Sequence, residues 1–137
     1  AGTISIFLSR HVDKVIGVEV VEAAIDNART NAAMNNIHNC TFRSGDLKDV
    51  FTPTFIAEHG RPDVLLVDPP RAGMHKKVVQ QIADLHPERF VYVSCNPQTQ
   101  ARDLDLLKDH YRIDRVQPVD MFPHTPHIEN VVRCTRR

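Results

Sequence analysis

Short apolar runs alternate along this chain with longer stretches whose apolar residues recur at helical spacing. Ile4, Phe7 and Leu8 predict a helix within residues 2–10. KVIGVE, residues 14–19, predicts a strand that ends on an acid. Val21, Ala24, Ile25, Ala28, Ala32 and Ala33 share one face of a helix over 21–36. Residues 40–43 read as a strand. DVLLVD, residues 63–68, is a nearly continuous apolar run and predicts a strand buried on both faces. A helix follows over 76–84, then another buried strand, RFVYVS, over 89–94. The spacing predicts a helix over 99–109 with Leu104 and Leu107 inward. Two further strand-like segments, 111–121 and 127–135, are separated only by FPHTP and predict an antiparallel hairpin at a sheet edge.

This alternation is that of an α/β fold, a mostly parallel Rossmann-like sheet covered by helices. Residues 1–137 are expected to form a single catalytic domain. The chain opens inside an element, so a first strand ahead of Gly2 is expected to be missing. In open α/β sheets, ligands sit beyond the carboxyl ends of the strands. Polar and reactive residues stand at four such ends: Glu19, Gly45-Asp46, Asp68-Pro69-Pro70-Arg71 and Ser94-Cys95-Asn96-Pro97.

Composition changes this picture little. Apolar residues make up 42% and charged residues 25%, as in an ordinary globular protein. The net charge is zero, which argues mildly against a general nucleic-acid binder unless the basic surface is local. Cys40, Cys95 and Cys134 are scattered and form no CxxC, so neither a disulfide framework nor a zinc site is indicated. Reduced thiols suggest the cytoplasm. No apolar run approaches the roughly 18 residues of a membrane span. A monomer is expected.

Gly2 is what remains of a glycine-rich turn, and Glu19 ends the next strand. A carboxylate there can accept from both hydroxyls of a ribose, or simply cap the following helix. Asp46 can reach an adenine amino group, or cap a helix starting at Leu47. No phosphate-cradling Lys-Ser or Lys-Thr follows Gly2, which suits S-adenosylmethionine better than NAD or ATP.

Cys95 taken alone reads as a small packed hydrophobe. Polar neighbours, the break at Pro97 and the place at a strand end turn the reading toward a nucleophile. In DPPR, two prolines stiffen the turn after the strand. That turn can fix the Asp68 carboxylate against ring N–H groups and aim the Pro70 carbonyl at a planar substrate. Arg71 can meet a phosphate or an acid. His124, His127 and Glu129 lie close in sequence, but they make an incomplete metal ligand set, and no metal is expected. Glu129 begins the last strand and is a candidate for proton transfer.

DPPR, then YVSCNPxTxARDL, then VxPVDMFPHTxHIE resemble the signature of the RNA uracil-5-methyltransferase family, over essentially the whole chain. The resemblance implies a class I methyltransferase fold and S-adenosylmethionine as cofactor. It implies an RNA substrate, 23S ribosomal RNA first and tRNA as the alternative. By position it implies Gly2, Thr3 and Glu19 at the cofactor and Asp68 at the junction with substrate. Cys95 matches the nucleophile and Glu129 the base. Rival expectations are a methyltransferase acting on an exocyclic amine, and a non-catalytic RNA-binding fragment.

Overall fold

The computed structural model describes all residues, Ala1–Arg137, and the chain divides into two units, Ala1–Phe55 and Ile56–Arg137.

In the first unit the order is α1 (Thr3–Leu8), β1 (Val15–Glu19), α2 (Glu22–Met34), β2 (Cys40–Ser44) and α3 (Leu47–Val50), with α4 (Pro53–His59) beginning at its end. β1 and β2 pair in parallel, from Val15 opposite Cys40 to Glu19 opposite Ser44. The expected stripe of α2 is narrower than its sequence suggests. Ile25, Ala28 and Ala32 are buried with Phe42 of β2, and Ile6, Ile37 and Cys40 pack against them. Val21 is not in the helix but precedes it in extended conformation, 56% exposed, and Ala33 faces out. Gly2 sits against this core with φ of 75°, and a Cβ there would lie 2.7 Å from the Ala28 Cβ. Only glycine meets both demands at low cost.

The second unit contains β3 (Val64–Val67), α5 (Lys76–Leu85), β4 (Arg89–Ser94), α6 (Pro97–Asp105), β5 (Tyr111–Val119) and β6 (Glu129–Arg136). Its four strands run in the order β3-β4-β6-β5. β3 and β4 are parallel, whereas β6 is antiparallel to both β4 and β5. The expected hairpin is present. Its second strand lies inside the sheet and its first forms the edge, an order that the short FPHTP connection does not reveal.

Alternation divides the two faces of this sheet. Leu65, Val67, Phe90, Tyr92, Ser94, Asn130, Val132 and Cys134 are buried on one of them. α6 lies on this face, because its Gln100 and Asp103 bond to β4 and β6 there. A fully buried Phe or Ile contributes about 1.5–3 kcal/mol, so this closed face holds the unit together. β3 is not buried on both faces as expected. It forms an edge of its sheet, and Val64 is 50% exposed.

Helix α6 also departs from the expected range. It begins at Pro97, where proline's fixed φ suits the first turn, and Asn96 caps it by accepting from the Gln98 N–H at 3.1 Å. Leu107 lies beyond its end but is still buried. α3 begins at Leu47 behind Asp46, the helix start offered as one reading of that acid, whereas α4 was not expected, since it is short and lacks a buried apolar stripe.

Candidate active site

The strand ends of the second unit gather Asp68, Pro70, Arg71, Cys95 and Glu129. The register is what brings two of them together. Ser94 of β4 pairs with Asn130 of β6, the last pair of an antiparallel ladder. Cys95 follows this pair on one strand and Glu129 precedes it on the other, so the two residues flank the same end of the ladder. Ser94 and Asn130 are buried on the face covered by α6. By alternation Glu129 turns to the other face, and it and Cys95 are both partly exposed. Val67 pairs with Tyr92, so Asp68 enters the same end of the sheet from β3. Burial raises the Asp68 pKa, although the residue as a whole is exposed.

The turn around Cys95 is tightly tied. Ser94 Oγ accepts from the Asn96 N–H at 3.0 Å and lies 3.1 Å from the Asn96 carbonyl. Asn96 Nδ2 and Thr99 Oγ1 both donate to the Arg71 carbonyl at 3.2 Å. The turn carrying the thiol is thereby joined to the DPPR loop.

Beneath the turn lies a polar floor that the sequence reading passed over. Gln100 is 1% exposed, and its Nε2 donates to the carbonyls of Tyr92 at 2.8 Å and Asn130 at 3.1 Å. Its Oε1 accepts from Asn130 Nδ2 at 2.7 Å. Asp103, also 1% exposed, accepts at Oδ2 from the Tyr92 hydroxyl at 2.8 Å and the Met74 N–H at 2.7 Å. Burial, followed by this carboxylate, drives the Tyr92 pKa upward. A clue was present in the sequence. Gln100 and Asp103 stand in helical phase with Leu104 and Leu107, so two polar residues occupy core positions.

The three thiols are not equivalent. Cys134 is fully buried, and burial pushes its pKa up to about 11. Burial also raises that of Cys40, whose thiol turns to the Ser5 carbonyl. A thiol acts as a nucleophile through its thiolate, so these two are structural.

Within DPPR the Pro70 carbonyl accepts from the Gly73 N–H at 2.8 Å and closes the turn, which leaves it one further lone pair. Arg71 is exposed and its guanidinium reaches a histidine. Its Nη2 lies 2.5 Å from His127 Nδ1. A guanidinium can only donate, so Nδ1 is the acceptor. His127 thus joins DPPR to the segment leading into Glu129, and no group of three or more His, Cys, Asp or Glu is placed to hold a metal ion.

The expected cofactor residues Gly2, Thr3, Glu19 and Asp46 all belong to the first unit. Glu19 and Asp46 share one end of its sheet, since the Gly45 N–H donates to the Glu19 carbonyl at 2.9 Å. Glu19 is exposed, and its Oε1 accepts from the Val21 N–H at 3.1 Å. Thr3 is exposed at the start of α1. Asp46 takes the capping role. Oδ1 accepts from the Lys48 N–H at 3.1 Å, and Oδ2 pairs with Lys48 Nζ at 2.6 Å.

Residues 55–137, more than half of the chain, match the family model for tRNA (uracil-5-)-methyltransferase. Curated relatives described as uncharacterized RNA methyltransferases are 59% identical over 96% of the chain in Bacteroides thetaiotaomicron and 55% identical over 98% in Porphyromonas gingivalis. The chain spans 29% and 30% of their lengths. Among solved structures, the tRNA (uracil-54, C5)-methyltransferase of Pyrococcus abyssi, in complex with S-adenosyl-L-homocysteine, superposes with a TM-score of 0.84 at 40% identity. It covers 98% of this chain, which covers 32% of it. The N-methyltransferase NodS of Bradyrhizobium japonicum aligns over 98% of this chain and 72% of its own, with a TM-score of 0.76 at 11% identity, a likeness of fold alone.

Proposed function

We propose, from the premise that this chain belongs to the tRNA (uracil-5-)-methyltransferase family, that it carries the catalytic residues of an enzyme methylating carbon 5 of uridine in RNA, with Cys95 as nucleophile and Glu129 as base. The observation supporting this most is that Cys95 and Glu129 flank the last pair, Ser94 with Asn130, of the β4–β6 ladder. Cys95 directly follows β4, whereas Cys40 opens β2 and Cys134 lies within β6.

Carbon 5 of uracil is a poor nucleophile. The Cys95 thiolate adds to carbon 6, forming an S–C bond, and the displaced electron pair becomes available at carbon 5. S-adenosylmethionine, when bound, supplies an electrophilic methyl group and leaves as S-adenosylhomocysteine. Glu129 then takes the proton from carbon 5. The C–H pair restores the ring double bond and expels the thiolate of Cys95. Asp68 holds the uracil edge at the ring N–H throughout. The uridine must leave any stack to reach these groups.

The donor set of the first unit fits the cofactor. Glu19 is exposed with Oε2 left to accept from a ribose, and Gly2, held by its packing against Ala28 and Phe42, opens the turn ahead of α1. Thr3 stands beside Gly2 and would contact the same ligand. Asp46, whose oxygens already serve Lys48, is the lesser contributor. As for the RNA, the family name and the Pyrococcus abyssi enzyme both support a tRNA uridine over the 23S ribosomal RNA first expected.

Incubating the full-length enzyme with labelled cofactor and undermethylated tRNA tests this. Cys95→Ala should abolish transfer. Glu129→Gln should accumulate a covalent protein–RNA adduct on a denaturing gel, since methyl transfer proceeds and release does not. Methylation surviving in Cys95→Ala refutes the mechanism.

A further inference from the structure

We propose that Arg102 is a positioning residue, holding the loop over residues 70–74 against the turn that carries Cys95. The inference rests on the functional reading above and adds to it a residue that touches no reacting atom.

Apart from the Arg71 contact with His127, one face of α6 and its cap supplies the attachments. Asn96, Thr99, Arg102 and Asp103 follow at helical spacing, and each bonds the backbone of the loop. Asn96 Nδ2 and Thr99 Oγ1 hold the Arg71 carbonyl. Arg102 Nη2 donates to the Ala72 carbonyl at 2.9 Å. Asp103 Oδ2 takes the Met74 N–H at 2.7 Å. Arg102 also reaches Asp103 Oδ1 through Nη2 at 2.7 Å and Nε at 3.0 Å. The guanidinium fork therefore grips the loop with one proton and orients the buried carboxylate with two others.

The loop is shaped to accept this grip. Gly73 has φ of 82°, and a Cβ on it would lie 2.6 Å from Asp103 Oδ2 and 2.7 Å from Arg102 Nη2. Between Asp68 and His75 only Met74 buries its side chain. Core packing thus does little to place the loop, and the prolines stiffen only its first half. The α6 attachments fix the rest, and with it the direction of Asp68 and Arg71 relative to Cys95.

Arg102 is the informative member because its side chain is 56% exposed. Its loss leaves Asp103 bonded to Tyr92 and Met74, so the fold should survive. Displacing a substrate-orienting group by about 1 Å can cost on the order of 100-fold in rate.

The test uses the full-length enzyme, with Arg102→Met and Arg102→Lys. For Arg102→Met, kcat should fall about tenfold or more while KM for the RNA stays within about threefold. The thermal midpoint of Arg102→Met should fall as well, since the Asp103 side chain is 2% exposed and loses its charged partner, whereas Arg102→Lys keeps that charge, so rates are compared well below both midpoints. Arg102→Lys, which keeps a donor but not the fork, should restore part of the rate. Hydrogen exchange at the Met74 amide should accelerate. In an Asp68→Asn background the same substitution should cost much less, because the lost positioning acts through Asp68. Unchanged kcat, an equal loss in both backgrounds, or an unchanged Met74 amide would each overturn the proposal. Should the wild-type enzyme transfer no methyl to uridine, the functional reading falls separately, and the Met74 amide still decides whether Arg102 holds the loop.

Discussion

Replacing Gln100 with Met removes the polar floor under the Cys95 turn while keeping side-chain length and helix propensity. Three hydrogen bonds disappear: two donated to the carbonyls of Tyr92 and Asn130, and one accepted from Asn130 Nδ2. Each contributes about 1 kcal/mol net. The Asn130 amide is left buried without its acceptor, so the loss should be about 3 kcal/mol. For a unit the size of Ile56–Arg137 such a loss lowers the melting temperature by roughly 12–24 °C. Asn130→Leu should cost a similar amount. The double variant should cost less than the sum, because removing both partners leaves fewer unsatisfied groups than removing one. Differential scanning fluorimetry of the full-length protein measures all four corners of the cycle. A Gln100→Met shift of less than about 2 °C, or strict additivity, would refute the reasoning that this amide pair is satisfied and tight.

The three thiols should separate under alkylation of the native protein. Cys95 should react first and Cys134 only on unfolding, as peptide mapping by mass spectrometry would show; early modification of Cys134 would contradict its burial. Asp68→Asn should raise the thermal midpoint slightly at neutral pH while lowering methyl transfer. Burial raises the Asp68 pKa above its unfolded value, so the folded state binds this proton more tightly than the unfolded chain. Its destabilising contribution is therefore fully present above the raised folded pKa and is relieved as pH falls through that pKa toward the unfolded value. A midpoint that falls in Asp68→Asn at neutral pH would reverse that sign.

Much of this molecule was legible in its sequence, for identifiable reasons. Alternation and helical spacing are local, so β1 to β6 and the longer helices fell close to their observed ranges. The strand ends were legible because reactive residues follow apolar runs directly. Strand order was not, because the insertion of β6 between β4 and β5 depends on pairing between segments distant in sequence. The buried polar network was hidden for another reason. Gln100, Asp103 and Asn130 have the composition of surface residues, and only their partners make burial tolerable. The Pro70 carbonyl and the Arg71 guanidinium were read from chemistry alone, which gave no sign of the bonds they make to the Gly73 amide and the His127 ring.

The central place of β6 has a consequence for biosynthesis. The strand that leads to Cys95 emerges from the ribosome well before the strand that begins at Glu129, and β5, which emerges between them, has no sheet neighbour other than β6. The two residues therefore cannot meet at one sheet end in a partly made chain. Assembly of this sheet is a late event, so a stalled or truncated product would carry Cys95 without Glu129 beside the same ladder.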